Sequence, residues 1–133
     1  MNADDNRKLL FAARRAWGDW LASFTWNYFV TLTFSYEPSS EFAICEFRRW
    51  IRRLEQRAQH GFTWFCATER GGGDLLHFHV LLSGLSRLSP TAIKAAWRSG
   101  RAHIVAYDQS KRATQYITKG LGSENLEYDL NVC

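Results

Sequence analysis

Two apolar runs, Phe62–Glu69 and Leu75–Leu82, flank the segment Arg70-Gly71-Gly72-Gly73-Asp74. Consecutive glycines ending in an aspartate are a strong turn signal, so the runs read as the two strands of one hairpin. A hairpin fixes a register, and the pleat then fixes which side chains share a face. His77 and His79, two apart on the second strand, point the same way, while Phe78 and Val80 point the other way into a core. If the chain turns about Gly72-Gly73, residues whose numbers sum to about 145 oppose one another. Glu69 then sits opposite or next to His77, with Cβ atoms roughly 4.5–5.5 Å apart. One carboxylate and two imidazoles make a compact patch. Two nitrogens and an oxygen suit a divalent cation with open positions, Mn²⁺ or Mg²⁺. Cys66, three residues from Glu69, faces the opposite side, which argues against a zinc site containing cysteine.

The elements around the hairpin follow from periodicity. Leu9, Leu10, Ala13, Trp17, Trp20, Leu21 and Phe24 recur at helical spacing after Asp4 and Asp5, which can cap the helix. Trp26–Phe34 is β-branched and aromatic and reads as a strand. Phe42, Cys45, Phe47, Trp50, Ile51, Leu54 and Ala58 give a long second helix that ends at His60-Gly61. Ser89-Pro90 opens another helix, with Ser as cap and Pro in its first turn, and Gly100 ends it. Ala102–Tyr107 is a short strand. A last helix starts at Asp108 or Ser110 and runs through Tyr116 to Gly120. Without the first helix the order is βαββαβ plus one helix. The expected fold is therefore α+β, a ferredoxin-like split βαβ antiparallel sheet with an extra N-terminal helix and a C-terminal helix. In that topology the first and third strands are central, two helices cover one face, and the other face is left for a site that the surplus helix can cover.

Length and composition set bounds. A chain of 133 residues with 46% hydrophobic content fits one domain with one core. The expected domain spans residues 1–133, with 1–25 as the N-terminal helix and 122–133 as a tail that either frays or leads into a further domain. No apolar stretch reaches the roughly 18 residues of a membrane span, and no signal peptide is visible. Three widely spaced cysteines give neither a disulfide framework nor a CxxC pair, which suits a reducing cytoplasm. A net charge of +4 permits nucleic acid as a partner without identifying it.

Three further groups bear on chemistry. Thr31 and Thr33 share one strand face; they can line a phosphate path on the histidine side, or they are ordinary β-formers. Tyr116 and Lys119 stand at i and i+3 on the last helix and are neighbours there. A tyrosine hydroxyl with an ordinary pKa near 10 is a poor nucleophile, and a nearby ammonium or metal-bound phosphate favours its phenolate. Tyr107, at a strand end, is the rival tyrosine.

Taken in order, Phe29-Val-Thr-Leu-Thr-Phe34, His77-Phe78-His79 with Val80-Leu81-Leu82, and Tyr116-Ile-Thr-Lys119 resemble the three motifs of HUH-type rolling-circle replication initiators, the Rep proteins of small phages, plasmids and single-stranded DNA viruses. The resemblance spans roughly Trp26–Leu121, and position 120 is Gly, as in the single-tyrosine class. It implies metal ligation by Glu69, His77 and His79, with Tyr116 and Lys119 catalytic on the last helix. It also implies sequence-specific nicking of single-stranded origin DNA, in a hairpin or not, followed by strand transfer through a 5′-phosphotyrosine. Expected DNA contacts are Thr31, Thr33, Arg70 and Arg112. Expected partners are single-stranded DNA, a helicase and host replication proteins, with no membrane, in the cytoplasm of a bacterial host as a phage or plasmid product. Single-strand transposases of the HUH type have the same motif order, and a non-catalytic single-strand-binding module on the same fold is the alternative from another class.

Other residues have simpler readings. Arg48, Arg49, Arg52, Arg53 and Arg57 form a stripe on the second helix that reads as a solvated face behind the sheet. Arg70, Lys94, Arg98, Arg101, Lys111 and Arg112 are better placed for DNA if the rim of the site is basic. Trp26, Tyr28 and Phe65 can stack bases or pack in the core. His60 reads as a cap for helix carbonyls. His103 lies on the last strand without being assigned as a ligand.

Overall fold

Alternation along Tyr28–Thr33 and His77–Ser83 builds the two central strands of an antiparallel sheet. The computed structural model describes residues 3–69, 76–108 and 126–131. In chain order these form α1 (Ala3–Ala22), β1 (Tyr28–Thr33), α2 (Ser40–Ala58), β2 (Thr63–Glu69), β3 (His77–Ser83), α3 (Pro90–Ala96), β4 (Ala102–Ala106) and β5 (Leu126–Asn131). The sheet order is β4-β1-β3-β2-β5. The first four strands have the expected ferredoxin-like arrangement, with β1 and β3 central, and every pairing is antiparallel. None of the helices among the described residues is long and apolar enough to cross a membrane.

β5 departs from the expected tail. Residues 126–131 pair along β2, with Ala67 opposite Tyr128 and Glu69 opposite Leu126. Leu126, Tyr128 and Leu130 alternate with Glu127, Asp129 and Asn131, the period-2 pattern that a strand needs. The helix expected from Asp108 or Ser110 to Gly120 lies outside the described residues.

One face of the sheet packs against α2 and α3. Ala43, Phe47, Trp50, Ile51 and Leu54 of α2 and Ile93 and Ala96 of α3 are buried against Val30, Leu32, Cys66, Phe78, Val80 and Leu82. The Trp50 indole is fully buried and donates to the Ile93 carbonyl oxygen at 3.1 Å, so its one polar atom is satisfied. Ser39 and Ser89 cap α2 and α3 by accepting from the Phe42 and Ala92 amides. α2 ends on Gln59 in the left-handed region, with φ 61°. His60 does not cap helix carbonyls: its Nδ1 lies 2.8 Å from the Gly61 oxygen. Asp4 and Asp5 fall inside the first turn of α1, where the helix dipole favours them.

α3 stops at Ala96, earlier than Gly100. The segment 97–101 leaves the helix to bond the end of β1. The Trp97 indole donates to the Thr33 oxygen at 3.0 Å, the Ser35 amide to the Ser99 oxygen at 3.1 Å, and the Thr33 amide to the Arg101 oxygen at 2.9 Å. A Cβ at Gly100 would lie 2.0 Å from the Thr33 oxygen, so glycine here permits a close backbone approach and does not cap the helix.

The other face is not free along its whole length. Leu21 from the end of α1 and Trp26 from the following loop are buried against Phe65, Ala67 and Leu81, with Phe24, Phe29 and Tyr107 at the margin. The Trp26 indole donates to the Leu21 oxygen at 2.6 Å and ties the loop back to α1. Trp26 and Phe65 are therefore core residues. The Tyr28 hydroxyl donates to the Leu88 oxygen at 2.7 Å and packs toward the helix side.

Candidate metal centre

The sheet register brings the candidate ligands together. Glu69 is paired directly with His77, and Ala67 with His79. Ala67 leaves room beside His79, while Glu69 ends β2 with a flexible side chain that reaches both rings. Its Oε2 lies 3.3 Å from His77 Nε2 and 3.0 Å from His79 Nε2. The three ligand atoms all lie within 4.8 Å of one another. The two imidazoles meet edge to face, with centroids 4.9 Å apart and planes at 88°.

Exposure is graded across the cluster. The His79 side chain is 9% exposed, His77 21% and Glu69 44%. His79 is thus the anchored ligand and Glu69 the one that faces solvent. β1 supplies support: Thr31 is paired with His79, and its hydroxyl stands 3.5 Å from His79 Nδ1, at the outer limit of a hydrogen bond. With the proton on Nδ1 and shared toward Thr31, Nε2 keeps its lone pair for a cation. Phe29, with its ring centroid 6.0 Å from that of His79, walls the cluster on its apolar side. The donor set fits a hard or borderline divalent cation with positions left for water or phosphate oxygen.

The other expected site residues divide. Thr31 and Thr33 both stand beside the cluster, paired with His79 and His77. The Thr33 hydroxyl donates to the Arg101 oxygen at 3.3 Å. The contact of Thr31 with His79 is a role that sequence reading missed; enumerating the β1–β3 register would have found it. Arg70, Arg112, Tyr116 and Lys119 lie outside the described residues. Tyr107 follows β4 at the end where Ala106 pairs with Tyr28, four positions along from the row of His79, about 13 Å at 3.3 Å per residue. Cys66 is buried on the helix side, away from the ligands. Arg48 and Arg52 point to solvent from α2, whereas Arg53 donates to the Ala96 oxygen at 3.0 Å and Arg49 to Glu46 at 2.6 Å.

A ferredoxin-like open sheet with a carboxylate and two imidazoles converging on its less covered face defines an α+β domain with a candidate metal centre. Residues 27–124 match the family model of replication-associated proteins of the ORF2 type, and the chain belongs to that family. Membership makes it a replication initiator of the Rep kind that works on DNA. Neither curated proteins nor solved structures give a significant match.

Proposed function

We propose that this domain nicks and rejoins single-stranded DNA as a single-tyrosine HUH endonuclease that initiates rolling-circle replication. The observation that carries the reading is the meeting of Glu69 with both imidazoles on one sheet face in a replication-family domain. Glu69, His77 and His79 would hold a divalent cation, Mn²⁺ or Mg²⁺, which when bound supplies Lewis-acid polarisation of the scissile phosphate. The Tyr116 phenol oxygen attacks that phosphorus. The new tyrosyl O–P bond replaces the bond to the 3′-oxygen, which leaves with a proton as a 3′-hydroxyl. The 5′-phosphotyrosine keeps the energy of the phosphodiester, so attack by another 3′-hydroxyl reverses the step without ATP. Lys119, one turn from Tyr116 on a helix, favours the phenolate.

Topology supports this placement of the nucleophile. The connection carrying Tyr116 begins after β4, at one edge of the sheet, and ends at β5, at the opposite edge. Four interstrand spacings separate these edges, roughly 19 Å. α2 and α3 already cover the helix face, so the metal face is the one with room for a connection. Arg70 and Arg112 are proposed to meet the DNA backbone, and the partners remain those of a cytoplasmic phage or plasmid initiator.

The test is incubation of the protein with Mn²⁺ and origin-type single strands, followed by denaturing gel electrophoresis. A covalent protein–DNA adduct that disappears in Tyr116→Phe and in chelator is the expected result. Nicking without an adduct, or an adduct that survives Tyr116→Phe, overturns the mechanism. Binding with neither nick nor adduct identifies a non-catalytic module instead.

A further inference from the structure

We infer that Arg101 and His103, on the edge strand β4 and the residue before it, form a second phosphate-binding position on the metal face, for a backbone phosphate flanking the one at the cluster. The inference rests on the reading of this face as a single-strand DNA site and extends it to a residue-level contact.

The register places both side chains. His103 is paired directly with Thr31, which is itself paired with His79. Directly opposed residues share a face, so His103 continues the row of His79 to the sheet edge. Arg101 lies two residues earlier, in the row of Thr33 and His77, joined to β1 by the bond from the Thr33 amide to the Arg101 oxygen at 2.9 Å. Between them Ala102 is buried toward α2 and α3, while Arg101 and His103 are exposed. The pleat therefore sends both to the metal face.

Two observations separate this pair from an ordinary basic rim. First, its backbone is held in place. The Arg101 oxygen also accepts from the Thr33 hydroxyl at 3.3 Å, and the contact of Gly100 with the Thr33 oxygen is so close that no side chain fits there. A fixed backbone reduces the ordering cost of using an exposed arginine. Second, the spacing suits a polymer. β4 is two strands from β3, about 10 Å, within reach of a neighbouring phosphate of an extended strand. The threonines of β1 lie between, with their hydroxyls turned to His79 and to the Arg101 oxygen. Arginine offers a planar fork that matches phosphate oxygens, and His103 adds a second donor beside it.

The experiment measures binding of a fluorescein-labelled oligothymidylate by anisotropy over a salt series, without added metal, so that no turnover enters. Loss of one phosphate contact from a single strand lowers the slope of log affinity against log salt by about 0.7. Arg101→Ala should show that drop, and Arg101→Lys, which keeps the charge, should retain most of the slope. His103→Gln should weaken binding less. A set of strands carrying one neutral methylphosphonate linkage at successive positions then locates the contact. One linkage should cost affinity in the unaltered protein and cost nothing in Arg101→Ala. An unchanged slope in Arg101→Ala, with a cooperative unfolding transition retained, overturns the inference while leaving the nuclease reading intact. Absence of any single-strand binding by the unaltered protein overturns both.

Discussion

Glu46, on α2 behind the sheet, and Glu69, at the end of β2 on the other face, each meet two polar partners, and the partners differ in kind. Glu46 is 7% exposed and accepts from the Ser99 hydroxyl at 2.6 Å and from Arg49 at 2.6 Å. The Ser99 hydrogen bond, followed by the bond and charge of Arg49 and the charge of Arg53, holds its carboxyl below the ordinary 4.5, against the opposing effect of burial. Its lone pairs are filled by groups that act here as donors, and Ser99 belongs to the segment that clasps β1. Glu69 is half-exposed and meets two imidazole nitrogens that are ligands in their own right. A carboxylate whose neighbours are donors joins elements of a fold; one whose neighbours can also bind cations makes a site.

Removing each partner in turn separates the two carboxylates. His79→Ala should cost Mn²⁺ affinity by more than the roughly 100-fold upper range of an outer-shell loss, read by titration calorimetry, with little change in the urea midpoint. An unchanged affinity would mean that the cluster is only a hydrogen-bonded patch. Glu46→Gln should do the reverse, lowering unfolding free energy by about 1.5–3 kcal/mol at pH 7 while leaving cation affinity unchanged. The sign of its pH dependence is fixed. A carboxyl with a depressed folded pKa contributes stability above its ordinary 4.5 and loses it as pH falls through the folded value. The gap between the unaltered protein and Glu46→Gln should therefore narrow in urea titrations below that pH; a gap that widens on acidification contradicts the assignment. Thr31→Val should weaken Mn²⁺ binding by about tenfold, through loss of the hydroxyl beside His79 Nδ1. The smallest effect is expected at Arg52→Ala on the solvated stripe, within about 0.5 kcal/mol in stability and with no change in the salt slope of single-strand binding.

The site was legible because its three residues lie on one hairpin, where turn chemistry and a period of two fix the geometry with no knowledge of the rest of the chain. Glu69 opposite His77 follows from the glycine turn alone. The order of the first four strands was legible for a similar reason, since amphipathic helices between strands leave few topologies. What sequence did not yield depends on contacts between distant segments. Gly100 looks like a helix stop until the Thr33 oxygen is seen against it. Trp26 reads as a strand residue, but its indole reaches back to α1. The strand pattern of residues 126–131 was present as alternation, but a short terminal run has no neighbour in sequence to pair with; its partner is β2, nearly 60 residues away. Thr31 needed the β1–β3 register, a pairing across almost 50 residues, before its hydroxyl could be matched to His79.

The packing of Leu21 and Trp26 on Phe65 and Leu81 has a consequence for traffic. It blocks the lengthwise approach from one end, and a flexible polymer arriving at the ligands must enter and leave sideways, over the sheet margins. The aromatic plug that completes a small core thereby gives any passing strand a compass bearing.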